Sequence, residues 1–209
     1  MNKNISLKHF KTLLKSKGYT GIKFAESCDT PANTISRLVI GQSNPKTDLL
    51  AKMCSVLKVY PSEIVSFEGI EINPKYFSND KRLPLPVEFT GELTYKPLWY
   101  FLDDYLAEVN KNRAEGEPKK TANDLFNKIE PPRRVKGDTS IYREISLKGI
   151  AARYGESHVS KGTAHTDYSK GLPAITRTKL RNDRPLNLEV IYEICKFLGC
   201  SIDFVLGYK

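Results

Sequence analysis

The tightest constraint on this chain lies in residues 20–64, where short apolar runs at helical spacing are cut by closely set turn signals. Thr20 is placed to cap a helix that turns Phe24 and Ala25 inward. Cys28-Asp29-Thr30 breaks that helix, and Pro31 opens the next at a first helical position. Ile35 and Leu38 then share one face, followed by the loop Gly41-Gln42-Ser43-Asn44-Pro45. Thr47 or Asp48 starts a helix with Leu50, Met53, Cys54 and Leu57 on its inner side, and a further short helix begins near Pro61-Ser62. Upstream, Ser6 is expected to cap a helix with Leu7, Phe10, Leu13 and Leu14 on one face, ended by Lys17-Gly18. The pattern predicts short helices joined by tight turns.

The run Thr20, Phe24-Ala25, Asp29-Thr30-Pro31, Ile35-Ser36, Gly41, Asn44-Pro45, Leu50, Leu57 and Ile64 resembles the helix-turn-helix of the lambda-repressor/Cro-like (XRE) family. Each position has a physical task. Ala25 is small where two helices cross closely. Asp29 tolerates the positive φ of the turn, a place usually held by Gly. Ile35 pins the third helix to the core, which turns its other face toward a DNA major groove.

The resemblance implies a set of DNA contacts. The third helix would present Ala32, Asn33, Thr34, Ser36 and Arg37 to the bases. Asn33 suits adenine, Arg37 suits guanine or a phosphate, and Ala32 or Thr34 a thymine methyl. Gly21 and Lys23 at the start of the second helix, with Gln42, Ser43, Asn44 and Lys46 of the loop, would meet phosphates. Gly21 departs from the family, which often has a polar side chain there, so only its backbone N–H remains.

The pattern returns near the C-terminus. Thr30-Pro-Ala-Asn-Thr-Ile-Ser-Arg-Leu38 aligns without gaps on Leu172-Pro-Ala-Ile-Thr-Arg-Thr-Lys-Leu180. Both lead into apolar helices with Cys54 or Cys195 and Leu57 or Leu198 at matching places, and the tails Tyr60-Pro-Ser-Glu-Ile and Cys200-Ser-Ile-Asp-Phe-Val correspond. Internal duplication explains this economically. The candidate contacts of the second copy are Ile175, Thr176, Thr178, Lys179, Arg181 and Arg184. Arg177 stands where Ile35 is buried in the first copy, and Leu147–Gly155 offers a rival register for the second helix of the motif.

The expected fold is therefore mainly α: two small helical bundles flanking a central insert. The boundaries are 1–66 and 145–209 for the two helix-turn-helix units and 67–144 for the insert. Alternating segments at Gly69–Ile72 and Leu85–Thr90 suggest a short strand pair or an extended linker there. Leu98, Phe101, Leu102, Tyr105, Leu106 and Val109 mark a helix running to about Asn112, and a brief helix is expected at Ala122–Ile129. At 209 residues the chain accommodates one large domain or two to three small ones.

The formal charge of +9 is concentrated at the two ends. Residues 1–65 hold 10 Lys and Arg against 4 Asp and Glu, residues 145–209 hold 10 against 6, and the middle holds 13 against 14. Basic surfaces attract a polyanion and release its counterions on binding. No apolar run approaches the roughly 20 residues of a membrane span. Cys28, Cys54, Cys195 and Cys200 form no CxxC pair, which fits buried thiols in a reducing cytoplasm. His9, His158 and His165 have no partners at catalytic spacing, and no phosphate-binding glycine loop is present, so neither an enzyme nor a cofactor is expected. Asp103-Asp104 point in different directions on a helix and read as a solvated face. Pro131-Pro-Arg-Arg-Val-Lys is either a phosphate-following stretch or an exposed linker.

The expected activity is sequence-specific binding of double-stranded DNA by a transcriptional regulator, a repressor by family resemblance, or by an accessory factor of a plasmid or phage, as in conjugation. The chain would act as a monomer with two DNA-binding units or as a homodimer. The alternative is an antitoxin, inhibitor or adaptor that holds a protein partner through residues 98–112 and autoregulates its promoter.

Overall fold

A computed structural model describes residues 4–7, 9–77, 91–129 and 171–207. The first half runs β1 (Ile5–Ser6), α1 (Phe10–Ser16), α2 (Gly21–Ser27), α3 (Ala32–Val39), α4 (Thr47–Leu57), α5 (Pro61–Ile64), β2 (Ser66–Phe67) and α6 (Pro74–Phe77). After residue 90 come α7 (Lys96–Lys111) and α8 (Ala122–Phe126), then α9 (Ala174–Arg181), α10 (Leu188–Leu198) and α11 (Ile202–Val205). The mainly helical class is as expected.

The beginning of the chain differs from expectation. Ser6 caps no helix: β1 pairs antiparallel with β2 in the register Ile5↔Phe67 and Ser6↔Ser66. Ile5 and Leu7 are buried while Ser6 is only half-buried, the period-two pattern of a strand rather than the three-to-four spacing of a helix. Gly69–Ile72 forms no strand, α6 occupies a segment expected to be extended, and Leu85–Thr90 lies outside the described residues. Pro31 sits one position earlier than expected, as the N-cap of α3.

Helix α7 explains the aromatic run of the central segment. Leu98, Leu102 and Leu106 are buried. Trp99 packs edge-on to Phe126 and donates from Nε1 to the Leu180 carbonyl at 3.2 Å. Phe101 lies between Phe77 of α6 and Phe204 of α11, with ring centroids 4.9 and 5.7 Å away. These rings are packed into the core, and Tyr100 is the exposed aromatic of the helix. A single continuous apolar core runs from Phe10 and Phe24 through Leu50 and Leu98 to Ile191 and Val205.

The two ends of the chain follow the same backbone path. Helices α3 and α9 each have eight residues, α4 and α10 eleven, and α5 and α11 four. Backbones turn left-handed at Asp29 and Gly171, at Gly41 and Asp183, and at Lys58 and Gly199. The hydrogen bonds Gln42 N–H to Arg37 and Arg184 N–H to Lys179 are both 2.8 Å. Val59 N–H to Cys54 and Cys200 N–H to Cys195 repeat in the same way.

The two paths meet at corresponding residues. Lys46 and Asn187, which precede α4 and α10, form an antiparallel bridge. Thr47 N–H donates to the Leu186 carbonyl and Leu186 N–H returns to Thr47 Oγ1, each at 3.0 Å. Thr47 is fully buried, and its hydroxyl lies 2.8 Å from the hydroxyl of the fully buried Tyr95. Asp183 Oδ1 accepts the Tyr95 N–H at 2.6 Å.

At the other end of this interface, Asp203 accepts from Ser62 N–H at 2.8 Å and from Ser62 Oγ at 2.6 Å. Burial raises the Asp203 carboxyl above the ordinary carboxylate value; the Ser62 bonds oppose the rise and nearby Glu63 adds to it. A folded value above the unfolded one stabilises the fold below the unfolded value. That contribution is lost as pH rises through the folded value. Ser62→Ala removes a donor to the ionised form, so the carboxyl should titrate at still higher pH in an NMR experiment. A downward move contradicts the assignment.

Candidate nucleic-acid interface

Helix α2 begins where Thr20 Oγ1 accepts the Lys23 N–H at 3.3 Å, the expected cap. It buries Phe24 and Ala25, with Phe10 and Tyr19 packed edge-on against the Phe24 ring. Asp29 makes the turn at φ 49°, as its place in the pattern required. Its carboxylate is solvated and lies 3.7 Å from Lys52 Nζ, an exposed pair worth little energy. Cys28 beneath the turn is buried, and its thiol is pushed up to about 11 by that burial, with Lys52 opposing. The four cysteines are free and buried.

Helix α3 turns Ile35 and Leu38 fully inward. Ala32, Asn33, Ser36 and Arg37 are thereby exposed together, while Thr34 is half-buried. The Ser36 hydroxyl donates to the Ala32 carbonyl at 3.1 Å, which leaves its oxygen lone pairs outward. Gly21 and Lys23 are exposed beside this face, and no atom lies within 4 Å of where a Gly21 side chain would stand. A backbone contact at Gly21 is therefore sterically open.

The loop after α3 divides its candidates. Gln42 and Lys46 are exposed, and Ser43 is half-buried. Asn44 is turned toward the other half of the molecule, where its Nδ2 donates to Glu189 Oε1 of α10 at 3.0 Å. Sequence spacing gave no sign of that engagement, because Glu189 is remote along the chain. Ile22, exposed to 65% next to Gly21, is an apolar neighbour of the face that the pattern did not single out.

Among the C-terminal candidates, Ile175, Thr178, Lys179, Arg181 and Arg184 are exposed and Thr176 is half-buried. Thr178 Oγ1 donates to the Ala174 carbonyl at 3.1 Å, the counterpart of Ser36 on Ala32. Arg181 stacks its guanidinium 5.3 Å from the centre of the Trp99 ring. Arg177 is half-buried and donates to Asn123 Oδ1 at 3.1 Å and Asn127 Oδ1 at 3.4 Å, so it ties α9 to α8. The rival register at Leu147–Gly155 and the basic stretch after Pro131 fall outside the described residues.

Among the described residues no group of acidic, His and Cys side chains is arranged to hold a metal ion, and no helix is long and apolar enough to cross a membrane. No curated protein and no solved structure matches the chain. Residues 10–64 do match the sequence model of a helix-turn-helix family, and these are the residues that form α1 to α5. In both its sequence and the succession of its helices, this segment is similar to the helix-turn-helix domains of that family.

Proposed function

We propose that the protein is a cytoplasmic transcriptional regulator, a binding protein rather than an enzyme, that reads double-stranded DNA with α3 and with a second unit built on α9. The observation that carries this reading is the exposed face of α3. Ile35 and Leu38 fix the helix from beneath, and Asn33 and Arg37 stand free on the opposite side. An amide and a guanidinium on one outward helix face can each pair bidentately with a purine edge in the major groove. The parallel path of α9, α10 and α11, with exposed Lys179, Arg181 and Arg184, supports the second unit. Repression at a control site of a plasmid or phage suits a small two-handed binder of this kind.

Selection of bound fragments from random duplex DNA, followed by footprinting, tests the reading. A defined sequence and a protected segment support it; recovery of unrelated fragments with no protection overturns it. On the selected site, Asn33→Ala or Arg37→Ala should cost about 1–3 kcal/mol, with little loss on random DNA. Equal losses on both would show that these side chains serve only the phosphate backbone.

The second reading, a protein partner held by residues 98–112, rests on the exposure of Tyr100, Asp103 and Asp104 along α7. A pull-down from cell extract with the full chain and its Tyr100→Ala variant separates the two. Capture of a defined partner that the variant loses favours it.

A further inference from the structure

The junction between α8 and α9 repeats some of the local geometry of the turn between α2 and α3. Thr20 and Thr121 are the N-cap residues, and the inward positions Phe24, Ala25 and Cys28 recur as Leu125, Phe126 and Ile129. Thr30 N–H donates to the Ala25 carbonyl at 3.0 Å, and Leu172 N–H donates to the Phe126 carbonyl at the same distance. The left-handed residue before each of these donors is Asp29 in one case and Gly171 in the other. A Cβ on Gly171 would sit 2.4 Å from the Asn127 backbone, so the end of α8 and the start of α9 are in direct contact there. Residues 130–170 lie between the two helices in sequence, which hides the pairing from any search for a continuous motif.

The two units are also placed symmetrically. Lys46 meets Asn187 and Ser62 meets Asp203, and each pair holds equivalent places before or within matching helices. Residues that touch their own equivalents lie on an approximate two-fold axis, as in an isologous dimer. Contacts of this kind are what a two-fold relation between the units would give within one chain.

The faces so related are not chemically alike. Counting from Pro31 and Pro173, Asn33 of α3 corresponds to Ile175 of α9. Ile175 is 68% exposed on a helix whose other exposed residues are the small Ala174 and the polar or basic Thr178, Lys179 and Arg181. An isoleucine cannot pair with a base edge, but in the major groove the thymine C5-methyl offers it an apolar contact.

We propose that Ile175 is a specificity-determining residue that selects a thymine methyl, so that a single chain reads a two-part site with one half chosen by hydrogen bonding at Asn33 and the other by apolar contact. The inference rests on the DNA-binding reading above. Its test uses the full-length protein and the site obtained by selection. Thymines in each footprinted half are replaced one at a time by deoxyuridine, which keeps every base-pair hydrogen bond and deletes only the methyl.

One replacement, in the half away from Asn33, should weaken binding about three- to fivefold, the effect of losing one buried methyl. Ile175→Ala should weaken binding to the thymine site and abolish the response to that deoxyuridine. Its thermal unfolding should be unchanged, since the side chain is exposed. Asn33→Ala should keep the deoxyuridine response. If Ile175→Ala retains full affinity, or loses affinity but keeps the same deoxyuridine penalty, the proposal is overturned while reading by α3 stands. If no duplex is selected at all, the DNA-binding reading falls and the proposal falls with it.

Discussion

Binding to the selected duplex should fall by about 10³ when salt is raised from about 50 to about 200 mM. Lys23, Arg37, Lys46, Lys179, Arg181 and Arg184 are the exposed cations on or beside the two outward helix faces. If each neutralises one phosphate, the log–log slope is about −0.9 for each contact and about −5 in sum. A fourfold rise in salt raised to about that power gives the thousandfold loss. Measurement is a titration by fluorescence anisotropy at four or five salt concentrations. Lys46→Ala should make the slope shallower by about one, because one counterion fewer is released. A slope near zero in the intact protein would be incompatible with DNA binding through these faces.

Tyr95→Ala should lower the folding free energy by about 3–5 kcal/mol, the range for truncating a large buried ring. Tyr95 is fully buried, and its hydroxyl joins Thr47 Oγ1 at 2.8 Å with the Arg184 carbonyl 3.4 Å away. Leu186 N–H donates to Thr47 Oγ1, so a chain of polar groups crosses from one half of the molecule to the other. Burial raises the Tyr95 phenol above its ordinary value, which keeps the proton needed for that chain. Tyr95→Phe preserves the ring and strands a buried hydroxyl, costing about 1–3 kcal/mol. Urea unfolding read by circular dichroism distinguishes the two. With a total stability of about 5–15 kcal/mol, the alanine variant should be visibly close to unfolding at moderate urea. A cost below about 1 kcal/mol for Tyr95→Ala would mean that this polar link does not hold the halves together.

Much of the first domain was legible because its signals are local. A Thr cap, an Asp at the turn, a Pro before α3 and a Gly after it each act within a few residues. The burial of Phe24, Ala25, Ile35, Leu38, Leu50 and Leu57 followed from helical spacing. The same kind of reasoning failed at Ser6, whose strand exists only because Ser66–Phe67 lies beside it. It gave no sign that the amide of Asn44, expected to meet a phosphate, is bonded to Glu189. Arg177 seemed misplaced against Ile35 until Asn123 and Asn127 of α8 supplied its acceptors.

By itself the sequence determined where short helices begin and end, which face of each is apolar, and which polar side chains would share the outer face of α3. Those properties depend on backbone propensities and on spacing within one or two turns. Only the tertiary structure decided what each apolar face is packed against. It brought Thr47, Tyr95 and Leu186 to one buried point, set Lys46 against Asn187, and placed α8 beside α9 across residues 130–170. Periodicity says that a side chain is buried, but not by which partner. A partner distant along the chain is chosen by the close packing of a whole core, and no local stretch of sequence carries that information.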